Sequence, residues 1–180
     1  MLEKKQRHFI KQDLTINTWD DLKPYFDDLL ARKLSDLEAF EQWLKDRSEL
    51  DAVIEEDFAW RYIKMSIDTT NEALSSAYTF FVSKIQPELA PLDDALNRKF
   101  MDCSYRNEFH DAAHKIYFRG IETQVKLFQE ANVAIEASLN ELAQKYGAIS
   151  AAQSIEHGGK TLTMQMASQL VKDQDETIRK

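Results

Sequence analysis

Ten apolar residues (Ala113, Tyr117, Ile121, Val125, Phe128, Ala131, Ile135, Leu139, Leu142 and Tyr146) follow one another at spacings of 4, 4, 4, 3, 3, 4, 4, 3 and 4. A period near 3.6 holds such a series on one side of a helix, so the stretch predicts a rod of about 50 Å at 1.5 Å per residue. Gly147 stands where a left-handed residue closes a helix and ends the predicted rod. A rod of that length cannot hide its stripe alone. It is expected to pack against the preceding helices, with a helix-on-helix core.

The rest of the chain reads in the same way. Thr18 predicts a helix start, with Asp20 and Asp21 in the first turn and Trp19, Leu22, Phe26, Leu29 and Leu30 as the apolar face. Ser35 is the next expected cap, ahead of Leu37, Phe40, Trp43 and Leu44. Ser48, with Asp51 in capping-box position, predicts a new long helix with a stripe of Leu50, Val53, Ile54, Phe58, Tyr62 and Met65. A break is expected at Asp68-Thr69-Thr70, then a stripe through Leu74, Ala77, Tyr78, Phe81 and Ile85. Pro87 and Pro91 predict a turn and a shorter helix through Leu92, Leu96 and Phe100. The first dozen residues are polar and expected to be extended or loose.

Beyond Gly147, residues 148–156 and 160–162 flank His157-Gly158-Gly159 and predict a hairpin. Thr163 is expected to cap a last amphipathic helix with Met164, Ala167 and Leu170, running into Asp175–Lys180 without a stop signal. Only 4 Gly and 3 Pro occur, too few for many short strands. The expected fold class is mainly α: long antiparallel helices, elongated, with one small β-hairpin near residues 148–162. Residues 1–180 are expected to form a single helical region.

Charge narrows the function classes. With 31 acidic and 23 basic side chains the net charge is −8, unsuited to neutralising phosphates, so neither a nucleic acid nor an anionic membrane surface is an expected partner. No apolar run is long enough to span a bilayer, and MLEKKQRHFIKQDL has no signal-peptide character. Cys103, the single cysteine, excludes an intrachain disulfide and is read as an inert thiol. The expected localisation is cytoplasmic.

Two stretches carry a family resemblance. SELDAVIEEDFAWRYIKMSIDTTNEALSSAYTFF, residues 48–81, has a Trp60-Arg61-Tyr62-Ile63 centre and an Asp68-Thr69-Thr70-Asn71 step. QKYGAISAAQSIEHGGKTLTMQMASQLVKDQDETIRK, residues 144–180, contains Tyr146-Gly147 and the Gly158–Thr163 hairpin sequence. Both resemble the N-terminal region of oligoendopeptidase F-like metallopeptidases, relatives of thimet oligopeptidase, and TWDDLKPYFDDLLARKL, residues 18–34, is similar to their opening helix. The resemblance implies long antiparallel helices with a small hairpin, forming one wall of an enclosed channel that admits short peptides. The family's chemistry rests on zinc held by an HExxH helix and a later glutamate. This chain has no HExxH, so the resemblance assigns no catalytic residue, no cofactor and no identifiable substrate-binding residue to it, and predicts inactivity by itself.

His110-Asp111-Ala112-Ala113-His114 is a near match, with two histidines at the right spacing and Asp in place of Glu. Asp is one methylene too short. Glu136 and Glu141, the candidate third ligands, lie roughly 33 to 40 Å along the predicted rod, unless it breaks sharply near Gly120. His110 and His114 are therefore weak metal candidates, read as solvated rim residues. Glu55-Glu56-Asp57 reads as a solvated face and His157 as a turn residue. Trp60 and Tyr62 are expected in the core, with Arg61 exposed, ahead of a peptide groove. Three functions are open: part of an intracellular peptidase, partnered by its catalytic domain; a stand-alone helical interaction module associating with itself or a partner through an exposed apolar face; and a small metalloprotein built on His110 and His114.

Overall fold

The computed structural model describes residues 6–179; residues 1–5, which open the polar segment, and Lys180 lie outside the described residues. Helices run Lys23–Ala31 (α1), Leu37–Ile67 (α2), Glu72–Phe80 (α3), Gln86–Asp102 (α4), Ala112–Leu127 (α5), Glu130–Ala152 (α6), Met164–Leu170 (α7) and Glu176–Arg179 (α8). Strands Ser154–His157 (β1) and Lys160–Thr163 (β2) form the antiparallel hairpin. The chain is thus mainly helical with one small β-hairpin, as its periodicity predicts.

The capping reading is right near the start and at the hairpin. Trp19–Asp21 form a short 3₁₀ turn, and Asp21 Oδ2 accepts the backbone N–H groups of Asn17 and Thr18 at 2.9 and 2.8 Å. At the next helix the cap is Asp36, one residue beyond Ser35, with its carboxylate accepting from Ala39 N–H at 2.8 Å. Asn71 caps α3 after the expected break. Gly158 and Gly159 have φ of 59° and 72°, the pair of left-handed residues a tight two-residue hairpin turn requires. Thr163 Oγ1 then caps α7 by accepting from Met166 N–H.

Several boundaries differ from expectation. Ser48 opens nothing: α2 runs unbroken for 31 residues, because Phe40, Trp43, Arg47, Leu50 and Ile54 keep one buried face continuous through it. Pro87 and Pro91 make no turn either. One wide π-turn, Phe81–Ile85, joins α3 to α4, with Gln86 N–H donating to Phe81 O five residues back. Such a turn places Pro87, which has no N–H to give, in the first turn of α4, while Pro91 sits on its exposed side. The rod beginning at Ala113 is broken at Phe128 and Gln129, both extended, and Gly147 lies inside α6 rather than ending it. Residues 148–152 are consequently helical, and the first strand starts at Ser154. The final helix also stops at Leu170, before the short α8.

The core gathers α1, α2, the π-turn and α4 around Phe26, Phe40, Trp43, Ile85, Leu96 and Phe100, all essentially without solvent exposure. The N-terminal segment is pinned to it by Glu49, whose carboxylate accepts the backbone N–H groups of His8, Phe9 and Ile10 at 2.7 to 3.0 Å. Burial pushes the Glu49 carboxyl up, but the N–H bonds from Ile10, His8 and Phe9 outweigh it and hold it below its ordinary value. A depressed carboxyl stabilises the fold above its unfolded value, about pH 4.3, and that contribution is lost as pH falls through the folded value. Amide-exchange protection at His8–Ile10 is therefore expected to fall selectively below about pH 4.3, and Glu49→Gln to lower it at neutral pH. Equal protection in wild type and variant would contradict this.

The tail packs differently from expectation. Among the described residues, Ile121 is the one fully buried position in α5, and α6 has none. Helix α6 meets the π-turn and α4 with a face of small and polar side chains, including Ala137, Asn140 and Gln144. Gln144 bonds Ser75 and Thr79, and Asn140 bonds Gln86. Its large apolar stripe, Ile135, Leu139, Leu142, Tyr146 and Ile149, is turned outward at 56% to 74% exposure. The expectation that this half of the stripe packs on the preceding helices is thus corrected.

Candidate functional site

The two histidines do not share a helical face. Asp111 is the N-cap of α5, so His110 lies outside the helix that carries His114. Asp111 accepts His114 N–H at 3.0 Å and lies 2.5 Å from His114 Nδ1, a local cap in which the His114 backbone and then its ring hold the Asp111 carboxyl below its ordinary range. The His114 ring packs between Phe109 and Phe118. The chain does break between these residues and Glu136 or Glu141, at Phe128–Gln129 rather than at Gly120. Even so, no group of three or more His, Cys, Asp or Glu converges to hold a metal among the described residues.

The reading of Trp60-Arg61-Tyr62 is reversed. Trp60 and Tyr62 are each 53% exposed, whereas Arg61 is drawn inward to Asp57 and to the carbonyls of Ile16 and Ala77. A guanidinium with three such acceptors is anchored more firmly than a ring that finds no pocket. Of the acidic triplet, Glu56 faces Arg7, Asp57 pairs with Arg61, and Glu55 faces a cleft.

That cleft, of about 690 Å³, lies between α2, α4 and the α5–α6 junction. Arg47 is among the residues that line it. Only 5% exposed, Arg47 donates from Nη2 to Asn97 Oδ1 at 2.5 Å and has Nε 3.7 Å from Asp51 Oδ2. Its Nε and Nη1 have no hydrogen-bond partner among the described residues, and neither has Asp94 Oδ1, whose partner oxygen takes Arg98 Nε at 2.6 Å. Asn97 in turn reaches Gln124 of α5. Carboxylates enter from three helices: Asp51 and Glu55 on α2, Asp93 and Asp94 on α4, Glu136 on α6. Burial, then the charge of Asp51, pushes the Asp93 carboxyl up to about 7, with Arg47 opposing and Glu55 adding. Burial likewise raises Asp51, against the pull of Arg47.

Arg47, Asp93, Asp94 and Asn97 do not stand out in the sequence once a helix start is placed at Ser48, and Asp51, Glu55 and Glu136 stand out there only for other roles. The signal becomes visible only when α2 is read as continuous, because Arg47 then occupies a core position in the Phe40-Trp43-Arg47-Leu50-Ile54 stripe. A charge at such a position requires partners, and the partners are on α4.

A family model described as the Peptidase M3 N-terminal domain matches residues 9–128, while no curated protein and no solved structure matches the chain. The matched span runs from the pinned N-terminal segment through α5, and includes the core and most of the cleft. Peptidases of this family are generally zinc enzymes, and the residues present here do not fit that ion, since His110 is off the helix and the His114 ring is committed to Asp111. With two thirds of its length covered by this match, the chain belongs to the M3 peptidase family and represents its N-terminal region.

Proposed function

We propose that this chain is the helical channel-wall part of a cytoplasmic zinc metallo-oligoendopeptidase of the oligoendopeptidase F type, which hydrolyses short peptides. In this reading the chain supplies scaffold and one wall, is inactive by itself, and takes zinc and catalytic residues from another part of the protein. The observation that carries the reading is the match to an M3 N-terminal domain. The outward apolar stripe of α6 supports it further, since contiguous exposed apolar surface of this kind marks a contact with another folded unit. No helix among the described residues is long and apolar enough to cross a membrane.

The same α6 stripe favours a second reading, a stand-alone interaction module that associates through this face. The two readings part at the gene. Sequence beyond codon 180 is expected to encode an HExxH and a later glutamate, and the whole product to cleave short fluorogenic peptides in a chelator-sensitive manner, while residues 1–180 turn over none. A stop after codon 180, with no partner chain carrying that motif, would refute the peptidase reading. Zinc binding by the isolated chain at micromolar affinity, lost in His110→Ala, would instead revive the small metalloprotein.

A further inference from the structure

We propose that the cleft between α2, α4 and the α5–α6 junction binds a primary ammonium group carried on an apolar body. Five carboxylates line it from three helices against one guanidinium, that of Arg47, which bonds Asn97 and stands 3.7 Å from Asp51, with its Nε and Nη1 lacking a hydrogen-bond partner among the described residues. The excess charge is negative, so the matching ligand is a cation. Asp94 adds an independent indication: it is 9% exposed, lines the cleft, and holds one carboxylate oxygen with no partner among the described residues. An ammonium offers three donors to such acceptors.

A divalent metal fits less well. Hard cations need several oxygens gathered at 2.0–2.6 Å, and no group of three or more acidic side chains converges in this way among the described residues. The five carboxylates come instead from α2, α4 and α6. Between them the lining is apolar, with Ile54, Phe58, Phe81, Leu127, Phe128 and Val133. The volume exceeds what a bare ammonium ion needs and accommodates an aromatic amine or the amino end of a short peptide. This inference does not rest on the peptidase reading.

Proton linkage follows from the same geometry. Asp93 shares the cleft with Asp94 on its own helix, with Arg47, Asp51 and Glu55 on α2, and with Glu136 on α6, while Tyr117 of α5 lies near Arg47 and Asp51. A cation seated among these groups favours the ionised form of Asp93, so binding near neutral pH expels a proton. With a carboxyl titrating at about 7, affinity should fall roughly tenfold from pH 8 to pH 6.

The test is calorimetric titration of the full chain with phenethylamine, 2-phenylethanol, phenylalanyl-alaninamide and calcium chloride, repeated in two buffers of different ionisation enthalpy. Phenethylamine is expected to bind with proton release, and the neutral alcohol to bind at least about tenfold more weakly, the value of one lost charge contact. The dipeptide amide binding tighter than phenethylamine would mark a peptide end as the occupant, and the reverse order a free amine; both support the proposal. Asp93→Asn is expected to weaken phenethylamine about tenfold and flatten the pH dependence, and the half-exposed Asp51→Asn to weaken it with less risk to folding. Equal binding of amine and alcohol, calcium binding in place of the amine, or wild-type affinity independent of pH would each overturn the proposal.

Discussion

Trp43→Ala is expected to destabilise the chain by about 3–5 kcal/mol, as large-to-small changes of buried aromatic residues do, and to lower the melting temperature by roughly 10 °C at 2–4 °C per kcal/mol. Trp43 has no solvent exposure, stacks on Phe40 with ring centroids 6.2 Å apart, and donates from its indole to Leu29 O at 2.9 Å. Arg47 and Lys99 lie over its ring at 5.7 and 5.9 Å. Removing it therefore opens a cavity where α1, α2 and α4 meet and withdraws an aromatic face from two cations. Trp43→Phe should lose much less. It keeps the stack, and Leu29 O retains the Lys99 ammonium at 2.7 Å. Urea unfolding of both variants checks this, and a loss below about 1.5 kcal/mol for Trp43→Ala, the range of a mild aliphatic trim, would show that the core is organised elsewhere.

Arg61→Met is expected to destabilise by about 2–4 kcal/mol, the range for removing a largely buried, charge-assisted hydrogen-bonding group. Its guanidinium joins α2 to two segments farther away in sequence. Nε meets Asp57 Oδ2 at 2.5 Å, Nη1 donates to Ala77 O at 3.0 Å on α3, and Nη2 donates to Ile16 O at 2.6 Å in the N-terminal segment. Methionine fills much of the volume but leaves two carbonyls and a part-buried carboxylate without their donor. Arg61→Lys preserves charge and lacks the planar fork, so it should recover less than half of the loss. Chemical unfolding measures the total, and amide exchange locates it at the α2–α3 junction; a uniform change across the chain would contradict the clamp.

Local features were legible because they depend on neighbours in sequence. The Gly158-Gly159 turn needs two left-handed residues, Thr163 needs only the N–H groups that follow it, and the break at Asp68–Thr70 precedes a capping asparagine. Ser48 was misleading for a physical reason. A capping box contributes about 1 kcal/mol, and burying a continuous face from Phe40 to Ile54 outweighs it. The prolines misled in the same way, because a single π-turn accommodates Pro87 where a standard α-turn would lack a donor. Arg61 and its aromatic neighbours were inverted because exposure depends on which acceptors other segments bring, and Ile16 and Ala77 lie 45 and 16 residues away.

The cleft was not legible at all. Its members come from α2, the π-turn, α4, α5 and α6, and no local pattern groups them. Only packing puts Arg47 under Asn97 and sets Asp93 against Asp51. The sequence by itself determined the helical class, the hairpin and the family, since periodicity, turn chemistry and motif order are properties of the chain. The tertiary structure alone decided where the long rods break, which charges become buried together, and that the broad apolar stripe of α6 faces outward. The physical reason is that an amphipathic helix announces its apolar face, whereas what covers that face is set by the surfaces it meets.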